Sequence, residues 1–256
     1  MDFYKIISVI EEIAPKALSA EWDNSGVQID VGKKDIKKVL VALEITKAVI
    51  EGAKENDIDM IITHHPLIFE PLYKVDSNTV TGNQITELIK AGISVYTAHT
   101  NFDAATGGNN DYIASLMKLV HVKRFKGDSI GRTGELLVKM SFKEVCAYVK
   151  ESLKLKYITA SGNPDAKIRK VGVSCGSGGD MIDAAIESGC DLLITGDVKY
   201  HAARYAQERG ICIIDAGHYG TEKFFAENMA VLLSAKIGGK AEIISSALDT
   251  DPFYIC

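Results

Sequence analysis

The residues best suited to chemistry in this 256-residue chain are its histidines, five of which lie near the ends of predicted strands or the starts of predicted helices. The six histidines are His64, His65, His99, His121, His201 and His218. In open α/β sheets, ligands bind in the crevice beyond the carboxyl ends of the strands. The positions of these imidazoles therefore favour a role in ligand binding over a role in packing.

Two neighbouring histidines follow directly on a buried strand in the segment MIITHHP, residues 60–66. Pro66 ends the strand because it lacks a backbone N–H, and adjacent strand residues point to opposite sides. His64 and His65 are therefore expected to reach different ions of a close pair rather than to share one ion. Two solvated loop histidines are an equal alternative for this tripeptide taken alone.

A histidine and a carboxylate follow another predicted strand in the segment AHTNFDAATGG, residues 98–108. Imidazole and carboxylate ligands together suit Mn, Fe, Co or Zn. Asp103 is the candidate ligand here, and His99 is expected to contact the ligands or the substrate. Taken alone, Asp103 is equally typical of a turn or a helix cap.

A third group lies in IIDAGHYGTEKFF, residues 213–225, where a strand is followed by a predicted helix. His218 and Glu222 are four residues apart, so they face the same way if the first helical turn reaches back to His218. That spacing can hold one ion or bridge two. The alternatives are a loop position for His218 and, for Glu222, the preference of acidic residues for helix N-termini.

Together these donors predict a hydrolytic metal centre. Three neutral imidazoles and two carboxylates carry −2 against +4 from two divalent ions, which leaves positive charge for hydroxide or an anionic substrate. Two ions about 3.5–4 Å apart would lower the pKa of a bridging water toward 7. The donor set suits Zn, Fe, Mn, Co or Mg, and the predicted partner is a small anionic molecule such as a nucleotide.

The elements that must position these residues alternate between strand and helix along the chain. In the first half, the predicted strands span residues 39–43, 60–63 and 93–97, and the predicted helices span 3–13, 46–56, 82–91 and 108–119. In the second half, the predicted strands span 135–140, 171–175, 192–195 and 211–215, and the predicted helices span 142–153, 180–188, 199–209 and 221–236. This alternation predicts an α/β protein with mostly parallel sheets. The polar, Gly-rich stretch 123–134 predicts a domain boundary.

Composition narrows the class of protein. The chain is 46% hydrophobic and 25% charged, with a formal net charge of −5, which favours a globular protein and disfavours a nucleic-acid partner. Its apolar runs are far shorter than the roughly 20 residues of a membrane span, and its N-terminus lacks the features of a signal peptide. A cytoplasmic protein with no membrane partner is therefore expected. Five cysteines without a C-x-x-C pair are expected to be reduced core residues.

Three further features each allow two interpretations. The glycines of SCGSGGD, residues 174–180, could cradle an anion, but a plain tight turn is favoured. Lys199 and His201 follow a predicted strand, where they could meet a substrate phosphate and transfer protons, or lie in a solvated helix start. Trp22, the single tryptophan, is either a wall of the site or a buried core residue, and the buried position is favoured.

An ordered set of motifs resembles the GTP cyclohydrolase I type 2 family, also described as Nif-three-like dinuclear metal proteins. Besides THHP, the segments are EWDNSGVQ (21–28), AHTNFDAATGGNND (98–111), SCGSGGD (174–180), LLITGD (192–197) and DAGHYGTE (215–222). The resemblance runs from Glu21 to the C-terminal helix. It identifies His64, His65, Asp103, His218 and Glu222 with the family's metal ligands, and Glu222 with the ligand that bridges the two ions.

The resemblance also implies an architecture and an activity. It implies a Nif-three-like fold of two α/β domains, with residues 1–123 plus 216–256 forming the metal-site domain and residues 124–215 the second. It implies the short form of the family, without an inserted domain, and a homo-oligomer, expected to be a hexamer. The family name implies opening of the imidazole ring of GTP, so a metal-dependent hydrolase is expected. The alternative is a non-catalytic metal-binding scaffold or a regulatory, metal-handling protein.

Overall fold

A computed structural model describes residues 1–128 and 130–254 of the chain. The helices, in chain order, are α1 (Phe3–Ile13), α2 (Lys47–Glu55), α3 (Val80–Ala91), α4 (Thr100–Ala104), α5 (Asn109–Leu116), α6 (Phe142–Ser152), α7 (Ile182–Glu187), α8 (Tyr200–Arg209), α9 (His218–Glu222) and α10 (Phe225–Ile237). The strands are β1 (Gly26–Ile29), β2 (Lys38–Ala42), β3 (Met60–Thr63), β4 (Ser94–Thr97), β5 (Val120–Arg124), β6 (Arg132–Ser141), β7 (Thr159–Ser161), β8 (Lys167–Ser177), β9 (Leu192–Gly196), β10 (Cys212–Asp215) and β11 (Glu242–Ser245).

The chain divides into two compact units, each with its own sheet. The first contains Met1–Thr106 and the chain from Phe224 onward, and the second contains Gly107–Lys223. The sequence places the domain boundaries after residue 123 and before residue 216, whereas the units divide after Thr106 and after Lys223. Strand β5 accounts for part of this difference, because it pairs with β6 and so belongs to the sheet of the second unit.

The sheet of the first unit is mostly parallel. Its strand order is β1-β4-β3-β2-β11, and only β1 runs antiparallel to its neighbour. Strands β3 and β4 are buried along their whole length, as expected of strands covered on both faces. In the register of this sheet, Ala42 pairs with Thr63 and Thr63 pairs with Thr97. The carboxyl ends of three parallel strands therefore lie at one edge.

The core of the first unit lies between this sheet and its helices. Ile61, Val95 and Leu88 are fully buried in one apolar cluster with residues of α2 and α3. Helix α1 buries one stripe of apolar residues at helical spacing, as its sequence predicts.

The sheet of the second unit is mixed. Its strand order is β5-β6-β8-β9-β10-β7, with a parallel centre of β8, β9 and β10. The outer strands β5, β6 and β7 pair antiparallel. Thr195 of β9 pairs with Asp215 of β10, so the carboxyl ends of these two strands also lie side by side.

The predicted α/β class is confirmed, and most predicted elements are present with both ends within four residues of their expected bounds. The short strands β1, β5, β7 and β11 were not predicted, since they lack a long apolar run. The helix predicted over 221–236 is present as α10 from Phe225 onward, but its predicted first turn is wrong, because the chain up to Glu222 belongs to the separate helix α9. The break falls between Lys223 and Phe224, where the chain passes from the second unit to the first.

The structure also bears on the expectations about membrane spans and cysteines. Among the described residues, no helix combines the length and the apolar character that crossing a membrane requires. Cys175, Cys190 and Cys212 are buried, as predicted, whereas Cys146 is only half-buried and Cys256 lies outside the described residues.

Candidate metal centre

Two histidines follow the carboxyl end of β3 in the first unit. The backbone N–H groups of His64 and His65 both donate to the carbonyl of Leu43, each at 3.0 Å. Next to them, the hydroxyls of Thr63 and Thr97 are 2.9 Å apart and join β3 to β4. The end of β3 is therefore held by both neighbouring strands, and the two imidazoles leave it at a defined position.

The His64 imidazole is completely buried and its tautomer follows from its contacts. Nδ1 lies 2.9 Å from the carbonyl oxygen of Ala98, and since a carbonyl can only accept, Nδ1 carries the proton. Nε2 lies 3.7 Å from Oδ1 of Asp103, a carboxylate on α4 that is only 5% exposed. This distance is too long for a hydrogen bond. It is close to the roughly 3.4 Å between two ligand atoms that each lie about 2.1 Å from one tetrahedral ion.

Two more imidazoles lie beside His64. One ring nitrogen each from His64, His65 and His99 can lie within 4.8 Å of the others, and the three side chains are buried or half-buried. The ring centroids of His64 and His65 are 5.2 Å apart, and those of His64 and His99 are 5.1 Å apart. His65 Nδ1 also lies 3.9 Å from Oε2 of Glu44. These nitrogens form one donor group within the first unit.

Asp23 orients the His99 ring. Its side chain is fully buried and lies 2.8 Å from His99 Nδ1, and it also accepts hydrogen bonds from the Thr100 backbone N–H and hydroxyl and from the Ser25 hydroxyl. Burial by itself raises the pKa of the Asp23 carboxyl, but the hydrogen bonds from His99, Thr100 and Ser25 outweigh burial, so this pKa lies well below its ordinary value. The carboxylate is therefore ionised and keeps the proton of His99 on Nδ1.

The second unit has a histidine and a carboxylate on one helical turn. Helix α9 begins at His218 and ends at Glu222, so the first turn does reach back to the histidine, as the i, i+4 spacing requires. His218 Nε2 lies 3.0 Å from Oε2 of Glu222, whose side chain is 3% exposed. On the other side of the ring, His218 Nδ1 lies 2.8 Å from Oδ2 of Asp197. A histidine held by a carboxylate on one nitrogen is the usual arrangement of a metal ligand.

Gly176, at the end of β8, leaves room for this pair. A Cβ at position 176 would lie 2.3 Å from Glu222 Oε1 and 3.3 Å from His218 Nε2, and the backbone φ of +68° is in the left-handed region. Its N–H donates to the Thr221 hydroxyl at 2.9 Å. Within SCGSGGD, Gly176 thus serves the close approach of a carboxylate rather than a simple turn.

The remaining predicted site residues lie elsewhere on the second unit. Lys199 is the N-cap residue of α8 and His201 stands in its first turn, and both are exposed. The His201 ring packs against Tyr200 at 5.3 Å. Their contact with ligands or substrate stays a prediction.

The favoured interpretation of Trp22 as a buried core residue is wrong. Its side chain is 64% exposed. The reason is the burial of its neighbour Asp23, which pulls the loop inward and leaves Trp22 on the outside, with its ring 6.0 Å from that of His99.

Sequence reasoning assigned no role to Asp23 and Asp197, the carboxylates that hold His99 and His218. Asp197 carries a weak signal, since it directly follows β9 and adopts a φ of +52°, which is uncommon outside glycine. Asp23 lies in the motif WDNSG, but its partner is 76 residues away in the sequence.

The donor chemistry suits a divalent metal ion. Each unit offers imidazole nitrogen together with buried carboxylate oxygen, the ligand types shared by Zn, Fe, Mn and Co sites. The fold and these residue groups define an α/β protein with side chains able to hold metal ions.

Comparison with known proteins identifies the family. Residues 1–252 match Duf34/NIF3 (NGG1p interacting factor 3), and the chain belongs to this family. It is 36% identical to a protein of Clostridium perfringens named GTP cyclohydrolase 1 type 2 homolog, with 99% of both chains covered. It is also 36% identical to the GTP cyclohydrolase 1 type 2 of Helicobacter pylori J99, with 90% of each chain covered.

A solved structure agrees with this assignment. The crystal structure of a Bacillus cereus protein related to NIF3 is similar to this chain with a TM-score of 0.93 and 26% identity, and the match covers 100% of this chain and 99% of that one. The family resemblance inferred from the ordered motifs is therefore confirmed.

Proposed function

We propose that this protein binds two divalent metal ions and hydrolyses a small anionic substrate of the nucleotide class. The proposed ligands are His64, His65 and Asp103 in the first unit and His218 and Glu222 in the second. One observation carries the proposal. In each unit, an imidazole whose Nδ1 is bound to an oxygen acceptor has its Nε2 beside a buried carboxylate, at 3.7 Å for Asp103 and 3.0 Å for Glu222.

The buried carboxylates are the chemical reason to expect cations. Carboxylate and imidazole donors together suit Zn, Fe, Mn and Co, and Asp103 and Glu222 place carboxylates at nearly inaccessible positions beside imidazole nitrogens. Bound divalent cations supply Lewis acidity and lower the pKa of water. The protein residues hold the imidazoles in one tautomer and exclude bulk water from the carboxylates.

The nucleotide class is supported by the names of the relatives. Both the Clostridium perfringens and the Helicobacter pylori proteins carry the name GTP cyclohydrolase 1 type 2, the former as a homolog. We extend that substrate class to this chain, together with a cytoplasmic location and assembly as a homo-hexamer. Light scattering coupled to gel filtration tests the assembly and should give six times the 27.8 kDa chain mass.

The first experiment measures metal content and hydrolysis on the same samples. Protein loaded separately with Mn, Fe, Co or Zn should retain two ions per chain and hydrolyse a member of a panel of nucleotides and phosphate esters. His65→Ala and Glu222→Ala should lose hydrolysis and at least one ion. His121→Asn is the matched control, since His121 is exposed and has a φ of +55° that Asn tolerates.

The outcomes separate the two halves of the proposal. Hydrolysis that survives both alanine substitutions would contradict the assigned site. Two bound ions without turnover of any panel member would contradict the hydrolase and favour a metal-binding scaffold. Protein that retains no divalent ion would contradict both.

A further inference from the structure

Two exposed aromatic side chains lie beside His99 in the first unit. Trp22 is 64% exposed and Phe69 is 48% exposed. Their ring centroids are 6.0 Å apart, and both rings contact the His99 ring, at 6.0 Å and 6.4 Å. Apolar surface left in water is unfavourable, so an exposed aromatic cluster beside polar functional residues marks a binding surface.

Hydrogen bonds hold the two loops that carry these rings. Asn24 Nδ2 donates to the carbonyl of Ile68 at 2.6 Å, and the Ile68 N–H donates to Gln28 Oε1 at 3.1 Å. Gln28 Nε2 in turn donates to the carbonyl of Asn24 at 2.7 Å. Next to Trp22, the Asp23 carboxylate is buried in its own set of hydrogen bonds. The exposure of Trp22 and Phe69 is therefore built into the structure.

The three rings do not stack face to face, and both Trp22 and Phe69 keep a large share of their surface exposed. Trp22 and Phe69 meet at 56°, and Trp22 meets His99 edge-on at 73°, so the rings do not stack on one another. A flat ligand ring can therefore lie against an aromatic face here, in the offset geometry that aromatic pairs prefer. A ring bound in this place would lie next to the nitrogens of His64, His65 and His99.

We propose that Trp22 and Phe69 form an aromatic platform on which the planar heteroaromatic ring of the substrate, a nucleobase, stacks beside the histidine donor group. This inference rests on the proposed function, because it assigns the platform to the substrate of that site. A small ring fits better than a second protein chain, since both aromatics contact His99 and so continue the donor group rather than a separate surface. Stacking of a base on an aromatic side chain is tolerant of base identity.

The chain itself supplies the probe, because Trp22 is its single tryptophan. Guanosine is titrated into metal-loaded protein while tryptophan emission is recorded with correction for absorbance. Ribose 5-phosphate, which lacks the ring, is the matched ligand control. The expected result is saturable quenching by guanosine and none by ribose 5-phosphate.

Two variants test the second ring. Phe69→Ala should weaken guanosine binding by about tenfold or more, while Phe69→Tyr, which keeps a stacking face, should bind as the wild type does. Tyr73→Ala removes a fully exposed ring from the same loop and should leave the titration unchanged. In a turnover assay, Phe69→Ala should raise KM far more than it lowers kcat.

Metal content is measured on every sample so that the two proposals fail separately. Bound metal with no response to guanosine would overturn the platform and leave the metal centre standing. Emission that changes with protein concentration and not with guanosine would also overturn the platform, in favour of a subunit interface. Equal guanosine affinity in the wild type and Phe69→Ala would show that Phe69 is not part of the platform. If the protein retains no metal ion after loading but guanosine still quenches its tryptophan emission, the platform is supported and the proposed metal centre is contradicted.

Discussion

The same arrangement of atoms occurs around His64 and His218, one in each unit. In both, Nδ1 is bound by an oxygen acceptor, the Ala98 carbonyl in one and the Asp197 carboxylate in the other, and Nε2 lies beside a buried carboxylate. The acceptor sets the tautomer and the ring orientation, and a carboxylate acceptor also makes the opposite nitrogen more basic. At the scale of single residues, metal affinity should therefore depend on groups that do not touch the ion.

Asp197 provides a direct test of this dependence. Asp197→Asn keeps the size of the side chain and tolerates the φ of +52°, but it removes the charge that supports His218. We expect metal affinity to fall by about 10- to 100-fold, measured by competition with a chromophoric chelator. Asp57→Asn is the matched control, because Asp57 is exposed and has a φ of +54°. Unchanged affinity in Asp197→Asn would contradict the assigned role.

Gly176 tests the space around Glu222. In Gly176→Ala the new methyl group would overlap Glu222 Oε1 and the residue would keep a left-handed backbone, so Glu222 must move. We expect loss of at least one bound ion per chain and a lower melting temperature. Gly179→Ala is the comparison, since its nearest neighbour would be Ala202 Cβ at 3.7 Å, an ordinary contact. Equal metal content in Gly176→Ala and Gly179→Ala would show that metal binding does not depend on the space that Gly176 leaves for Glu222.

At the scale of elements, both sheets use the same device to align two parallel strands. Asp59 directly precedes β3 and accepts hydrogen bonds from the N–H groups of Lys37 and Lys38, at the start of β2. In the second unit, Asp191 directly precedes β9 and accepts from the N–H groups of Arg169 and Lys170 in β8. The backbone of β3 or β9 begins here and offers no carbonyl to these N–H groups. The carboxylate in front of the strand accepts their hydrogen bonds instead.

Asp59 gives a prediction about stability and pH. Burial alone raises the pKa of Asp59, but hydrogen bonds from Lys33, Lys37 and Lys38 outweigh it, so the pKa is lower in the folded chain than in the unfolded one. The contribution of ionised Asp59 to the free energy of unfolding is therefore complete above the unfolded-state pKa of about 3.9. It is lost as the pH falls through the folded-state pKa.

The corresponding variant is Asp59→Asn. We expect it to lower the free energy of unfolding by about 1–3 kcal/mol at pH 7, measured by urea denaturation, and we expect the difference from the wild type to shrink below about pH 4. The exposed neighbour Asp57 serves as the control through Asp57→Asn, which should change stability little at either pH. A difference that stays constant down to acidic pH would contradict the ionised state of Asp59.

At the scale of the whole molecule, metal binding should couple to folding, because an ion that binds only the folded chain stabilises it. Addition of Mn, Co or Zn to metal-free protein should raise the melting temperature by several degrees, and a chelator should reverse the increase. Glu222→Gln should reduce the increase, whereas Glu227→Gln, a change at an exposed position of α10, should not. A metal-induced increase of the same size in Glu222→Gln would argue against Glu222 as a ligand.

The sequence by itself determined the features that depend on local spacing and on strand ends. The α/β class follows from alternating strand and helix periodicity, and the pairing of His218 with Glu222 follows from the helical repeat once a helix begins at His218, as α9 does. Motif order also identified the family. The spacing at strand ends and the family motifs both selected the five proposed ligands. Their joint role as metal ligands stays a prediction.

Only the tertiary structure decided which distant side chains hold these histidines and which side of a loop faces water. Asp23 and His99 are 76 residues apart, and Asp197 and His218 are 21 apart, so their contacts depend on strand order and register, which hydrophobic periodicity does not specify. Trp22 was expected inside because of its residue type, but it lies outside because the carboxylate next to it finds its hydrogen-bond donors in the interior. Satisfying a buried charge takes precedence over burying an adjacent aromatic ring.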